Sequence, residues 1–163
     1  MTDAYYATAQ ICCNGHVITK DTSDTEKLSP YCSKCGAKTI TECPNCHAPI
    51  RGAYCMPGAF LAYAHYTPPA YCCQCGHPFP WTEAKLKAAQ DLLYESEELS
   101  PEEMSKLATS LPDIVVETPK TIVSANRLSR ILRKVSPEIA SGVREILINI
   151  VVEAAKKTIW PNG

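Results

Sequence analysis

The chain has 163 residues, enough for one ordinary domain or two small ones. Hydrophobic residues make up 45% and charged residues 20%, which excludes a disordered, collagen-like or low-complexity chain. A formal net charge of -1 gives no global attraction to nucleic acid or membrane. Ten cysteines are far more than ordinary usage supplies.

The opening residues MTDAYYATAQICC carry an acid, no positive n-region and no long apolar stretch. The longest apolar run, Ile146 to Val152, is interrupted by Asn149 and is far short of a membrane span. These features predict a cytoplasmic protein, where thiols stay reduced and clustered cysteines serve as metal ligands before disulfides.

All ten cysteines and all four histidines lie between Cys12 and His77. A boundary therefore falls in HPFPWTEAK, giving a metal-binding domain over 1–80 and a helical domain over 81–163. The first domain repeats a pattern. YCSKCGAK (Tyr31 to Lys38) and YCCQCGHP (Tyr71 to Pro78) are two copies of Y-C-x-x-C-G. Two cysteines separated by two residues aim both sulfurs at one ion, and the following glycine admits positive φ. Each knuckle needs a second pair of ligands to complete a tetrahedron. CPNC supplies Cys43 and Cys46 to the second copy, and CCNGH supplies a cysteine and His16 to the first.

Two zinc ions are thus expected. One would be held by Cys12, His16, Cys32 and Cys35, the other by Cys43, Cys46, Cys72 and Cys75. Cys13 is also spaced to pair with His16; Cys12 is favoured because C-x-N-G-H looks like a recurring zinc-binding turn. Cys73 breaks the C-x-x-C spacing and reads as a non-ligand, and Cys55 as an isolated thiol. His47, His65 and His77 read as solvent-facing or bonded to the loops, with a partial third site around Cys55 as the alternative.

A catalytic zinc keeps an open position, whereas four ligands close each of these sites. No enzymatic role is expected. The domain has few large aliphatic residues, so metal binding should supply its folding energy.

Residues 47–71 are long for a ribbon hairpin and hold Tyr54, Met56, Phe60, Tyr63, Tyr66 and Tyr71. They read as an exposed aromatic surface or as a cover for the small ribbon, with Ala59 to Tyr66 a short helix or strand.

About four helices are expected in the second domain. Thr82-Glu83 opens the first, to about Ser96. Ser100-Pro101-Glu102-Glu103 is a capping box with proline at the first helical position, opening the second. Asp113 to Glu117 is rich in β-branched residues and reads as extended. The third helix runs from Thr118-Pro119 to about Val135, and the last from Ser136 to about Trp160. Helix 119–135 carries Lys120, Arg127, Arg130, Arg133 and Lys134 without an acid, which suits phosphate contacts, solvation, or pairing with Glu95 to Glu103. The last helix is apolar on two sides, so it belongs in a core or meets a partner or a second copy.

Residues 1–80 hold five basic and five acidic residues. A zinc held by three thiolates and a histidine adds -1 and one held by four thiolates adds -2, which leaves that half at about -3. Such a charge suits protein contacts better than phosphates.

ICCNGHVIT, YCSKCGAKTITECPNCHAPIRG and YCCQCGHPFPWTE together resemble an uncharacterised bacterial family of double zinc-ribbon proteins. The likeness covers roughly residues 5 to 85. It implies the same eight ligands and brings no established activity. The expected fold is a small, zinc-stabilised, β-rich double zinc ribbon followed by an α-helical domain. The expected function is a non-enzymatic adaptor or regulator that binds an unknown protein partner or self-associates. A nucleic-acid-binding regulator is the alternative.

Overall fold

A computed structural model describes residues 3–58 and 65–163. The chain forms small antiparallel sheets followed by helices, an α+β arrangement. It divides into two compact units, Met1–Glu83 and Ala84–Gly163.

The first unit has very short strands. β1 (Tyr5–Thr8) pairs with β5 (Arg51–Cys55), placing Tyr6 opposite Tyr54 and Thr8 opposite Arg51. β2 (Gln10–Cys12) is the centre of a three-stranded sheet between β3 (Val17–Thr19) and β4 (Thr39–Ile40). Ile11 lies opposite both Val17 and Ile40, and it is fully buried. The buried Gln10 donates to Thr39 Oγ1 and accepts from Ser29 N–H, tying residue 29 to the sheet. At Gly52 the backbone passes so close to Lys20, Ala7 and Ala9 that an added Cβ would clash with all three main chains.

Three segments repeat one local structure. An isolated antiparallel bridge closes each: Tyr31 with Lys38, Glu42 with Pro49, and Tyr71 with Pro78. The residue that follows each bridge, Thr39, Ile50 or Phe79, is buried. Ala9, Ile11, Cys43, Ile50, Cys72, Phe79 and Trp81 form the apolar core of the unit. Phe79 and Trp81 stack with centroids 4.6 Å apart. Trp81 Nε1–H donates to Pro69 O and Thr82 Oγ1 to Ala70 O, so both polar groups are satisfied.

The aromatic residues of 47–71 divide between the two expected roles. Tyr66 packs on the core and donates to Arg51 O at 2.6 Å, and burial pushes its phenol up to about 12. Tyr54 and Met56 are exposed. Phe60 and Tyr63 lie outside the described residues, as does most of the Ala59 to Tyr66 element.

Five helices follow: α1 (Pro80–Glu95), α2 (Pro101–Ser110), α3 (Thr121–Leu132), α4 (Pro137–Leu147) and α5 (Glu153–Ile159). The capping box at α2 is formed as expected: Ser100 Oγ accepts from Glu103 N–H, and Glu103 returns its carboxylate to Ser100 N–H. α1 starts two residues before Thr82.

Two expectations fail. Residues Leu111–Val115 are 3-10 helix rather than extended, because Leu111, Ile114 and Val115 turn together into the core. The last helix is not continuous to Trp160. It stops at Leu147, and Val152 takes an extended conformation from which its N–H donates to Ile114 O. The break lets Val143, Leu147, Val151, Ala155 and Ile159 all be buried within the unit. Their neighbours Ile146, Ile148, Ile150 and Val152 are half-buried, so the apolar excess of this segment is largely absorbed.

Candidate metal centres

The three bridge-closed segments and the turn after β2 bring eight donors into two groups. Cys12, His16, Cys32 and Cys35 form one, and Cys43, Cys46, Cys72 and Cys75 the other. In each group all donor atoms lie within 4.8 Å of one another. These are the eight residues expected from the spacing.

The turns explain the convergence. In each C-x-x-C segment the first cysteine's carbonyl accepts from the fourth residue on: Gly36 N–H to Cys32 O, His47 N–H to Cys43 O, and Gly76 N–H to Cys72 O. Each first cysteine also donates its own N–H across the turn, to Ala37 O, Ala48 O or His77 O. The residue that donates to the first cysteine's carbonyl has a positive φ in all three, at 70° for Gly36, 71° for Gly76 and 61° for His47. Gly15 at 88° plays the related part after Cys12, donating to Cys12 O.

The distances fit a tetrahedral ion. Bonds of about 2.3 Å to sulfur and about 2.05 Å to nitrogen give S–S edges of about 3.8 Å and S–N edges of about 3.6 Å. Cys12 and Cys35 sulfurs are 3.7 Å apart, Cys43 and Cys75 are 3.7 Å apart, and Cys46 and Cys72 are 3.6 Å apart. His16 Nδ1 is 3.4 Å from Cys12 Sγ and 3.6 Å from Cys32 Sγ, so Nδ1 is the donor atom that faces the group. Each group could hold one metal ion, and a thiolate-rich tetrahedral donor set suits zinc.

Each group is half sunk in the fold. The first cysteine of every pair, Cys12, Cys32, Cys43 or Cys72, is buried, whereas Cys35, Cys46 and Cys75 face solvent. N–H donors surround the sulfurs. Backbone N–H groups of His16 and Gln74 donate to Cys12 Sγ and Cys72 Sγ. The Ala37 N–H and the Asn14 amide, which donates at 3.4 Å, hold the Cys35 thiol down at about 6. The Asn45 side chain and the His77 N–H do the same for Cys75, also to about 6. Asn14 and Asn45 each sit in one ligand pair and serve the exposed cysteine of the other, an outer shell that favours thiolate.

The remaining cysteines and histidines stay outside both groups. Cys13 is half-buried and its N–H donates to Lys38 O. Cys73 is exposed, and Cys55 turns its thiol to Ala53 O. His65 lies beside Thr67, and His77 lies 4.0 Å from Glu83. His47 has a part that spacing did not reveal: it fills the positive-φ position that glycine fills in the other segments, with Nδ1 3.7 Å from Glu42. Aligning C-P-N-C-H on C-S-K-C-G would have shown it.

Two further surfaces lie outside the metal groups. On the β1–β5 ribbon, Tyr5, Tyr6 and Tyr54 are exposed, the Tyr6 and Tyr54 rings are 5.0 Å apart, and the Arg51 guanidinium sits 4.8 Å over Tyr6. Lys134, in the turn after α3, pairs with Glu103, while Arg127 and Arg130 on α3 are exposed with no acidic partner among the described residues.

Among the described residues no helix is long and apolar enough to cross a membrane. No curated protein and no solved structure matches the chain. One family model does, over residues 5–159, and so takes in the helices as well as the cysteine-rich stretch that carries the resemblance. The chain therefore belongs to the bacterial family DUF2321, described as an uncharacterized protein conserved in bacteria.

Proposed function

We propose that this protein is a double zinc ribbon that works as a non-enzymatic adaptor through protein–protein contacts. The exposed Tyr5, Tyr6, Tyr54 and Arg51 surface of the β1–β5 ribbon carries the reading. Tyrosine and arginine are the side chains that most often anchor interfaces, because they bury large areas with few rotors and a polar tip. Two zinc ions would fix the ribbon that presents them. Four donors around each ion leave no position for water or substrate, which supports a structural role for the metal. The first unit is close to neutral before metal and anionic after it, so a protein partner suits it better than a polyanion. Self-association through the last helices has less support, since their main apolar stripe is already buried.

Affinity capture from a bacterial lysate with the zinc-loaded chain tests this reading against a Tyr6→Ser/Tyr54→Ser variant. A partner retained by the parent and lost by the variant is expected. Identical captures, or a monomer that retains nothing, would sink it.

A nucleic-acid-binding regulator is the second reading, favoured by the exposed Arg127 and Arg130 on α3. Anisotropy with labelled single- and double-stranded DNA and RNA at two salt concentrations tests it. Binding that weakens steeply with salt and disappears in Arg127→Glu/Arg130→Glu would promote it.

A further inference from the structure

The helical unit holds an open cleft of about 360 Å³, within the usual size of small-molecule sites. The C-terminal end of α3, the middle of α4, and the last residue of α5 with the two that follow it line the cleft. Arg133, just past the end of α3, and Arg144 of α4 both line it, and neither has an acidic partner among the described residues. No carboxylate among those residues lines it. Ser129 also lines it and is only 8% exposed, yet its hydroxyl has no hydrogen-bond partner among the described residues. A helical serine hydroxyl ordinarily bonds the carbonyl one turn back, whereas this one is left to the solvent of the cleft. Leu132, Ile159 and Trp160 supply an apolar wall.

This combination has a chemical meaning. Two unneutralised guanidiniums and an unpaired hydroxyl are donors that lack an acceptor. A carboxylate has two oxygens, which one guanidinium fork occupies. A phosphate monoester has three terminal oxygens and nearly two charges, enough for both forks and the hydroxyl. The indole beside them suits a flat ring. We propose that this cleft binds a phosphate monoester whose organic part carries a flat ring, with Arg133, Arg144 and Ser129 taking the phosphate and Trp160 the ring. The cleft lies wholly in the unit without metal donors, so the assignment is independent of the zinc sites.

Phenyl phosphate added to the full zinc-loaded chain is the probe. Trp160 reports on it by fluorescence, since Trp81, the other tryptophan, is 1% exposed in the metal-bearing unit. Saturable quenching is expected, weakened at least about tenfold by Arg144→Gln and by Arg133→Gln, and less by Ser129→Ala. Arg133 is exposed, so its variant should keep the parent's helical circular dichroism and stands alone should Arg144→Gln disturb folding. Benzoate and inorganic phosphate should bind more weakly than phenyl phosphate. Absence of saturable binding at millimolar probe would overturn the proposal. So would equal binding of benzoate, or an equal loss in Arg127→Gln, whose side chain lies outside the cleft.

Discussion

Among the described residues of the unit Met1–Glu83 the longest strand has five residues, and two of the seven side chains of the core cluster, Cys43 and Cys72, are themselves candidate metal ligands. In the unit Ala84–Gly163 the buried set is ordinary: Leu93, Leu107, Ile114, Leu128, Val143 and Leu147 come from successive helices and the 3-10 turn between them. Strands of two to five residues around a core cluster of seven side chains are too little to hold a fold by apolar burial alone. Closely spaced thiols that are forced together without an ion would repel one another on ionising. The contrast teaches that one chain uses two sources of stability. Four turns that gather candidate metal ligands organise the first unit, and periodic apolar faces organise the second.

The largest effect should come from removing metal. A strong chelator should unfold the first unit and leave the helices folded, since structural zinc contributes roughly 10–16 kcal/mol in small fingers. Amide NMR would show the collapse of signals from 5–80 with those of 84–160 retained. Simultaneous loss of both sets would break the comparison.

Leu128→Ala addresses the other side. Leu128 is 1% exposed, so the variant should lose about 2–5 kcal/mol from the helical unit. Its metal content should equal the parent's. Release of metal by this variant would show that the units do not stand apart energetically.

A smaller change sharpens the account of the turns. His47 sits at φ 61°, which costs a side-chain-bearing residue about 1 kcal/mol or more. His47→Gly should therefore bind metal at least as tightly as the parent and resist chelator slightly longer. Weaker binding would mean that His47 serves the metal rather than the turn.

The smallest effect concerns pH. Lys134 and the Ser100 N–H hold the Glu103 carboxyl down at about 2, below its ordinary 4.5. A depressed carboxylate stabilises the folded state above the unfolded pKa and loses that contribution as pH falls through the folded one. The α2 cap should weaken between about pH 4.5 and pH 2. Glu103→Gln should lower the melting temperature at neutral pH, with a difference that shrinks across that window. An unchanged difference would remove Glu103 from the cap's electrostatics.

The eight donors were readable because ligand spacing is local: three C-x-x-C pairs and C-x-N-G-H each define a turn by themselves. The α2 cap was readable for the same reason, since Ser100 and Glu103 bond to each other's backbone. What escaped depends on distant parts of the chain. β1 meets β5 some forty residues on, so the exposure of Tyr5 and Tyr6 beside Tyr54 left no local mark. The break after Leu147 was hidden because apolar residues continue through it, while what accompanies the break, the bond from Val152 N–H to Ile114 O and the burial of Val151, Ala155 and Ile159, depends on distant residues. The 3-10 turn at 111–115 follows from the burial of Ile114 and Val115, against the strand preference of β-branched residues.

The most direct test is the metal content of the purified full chain, measured by native mass spectrometry with elemental analysis and no metal added. Two zinc ions per chain are predicted, one lost in Cys32→Ser/Cys35→Ser and the other in Cys72→Ser/Cys75→Ser. A chain that folds its first unit with no metal, or that loses both ions when either pair is changed, would contradict the account of two separate closed sites.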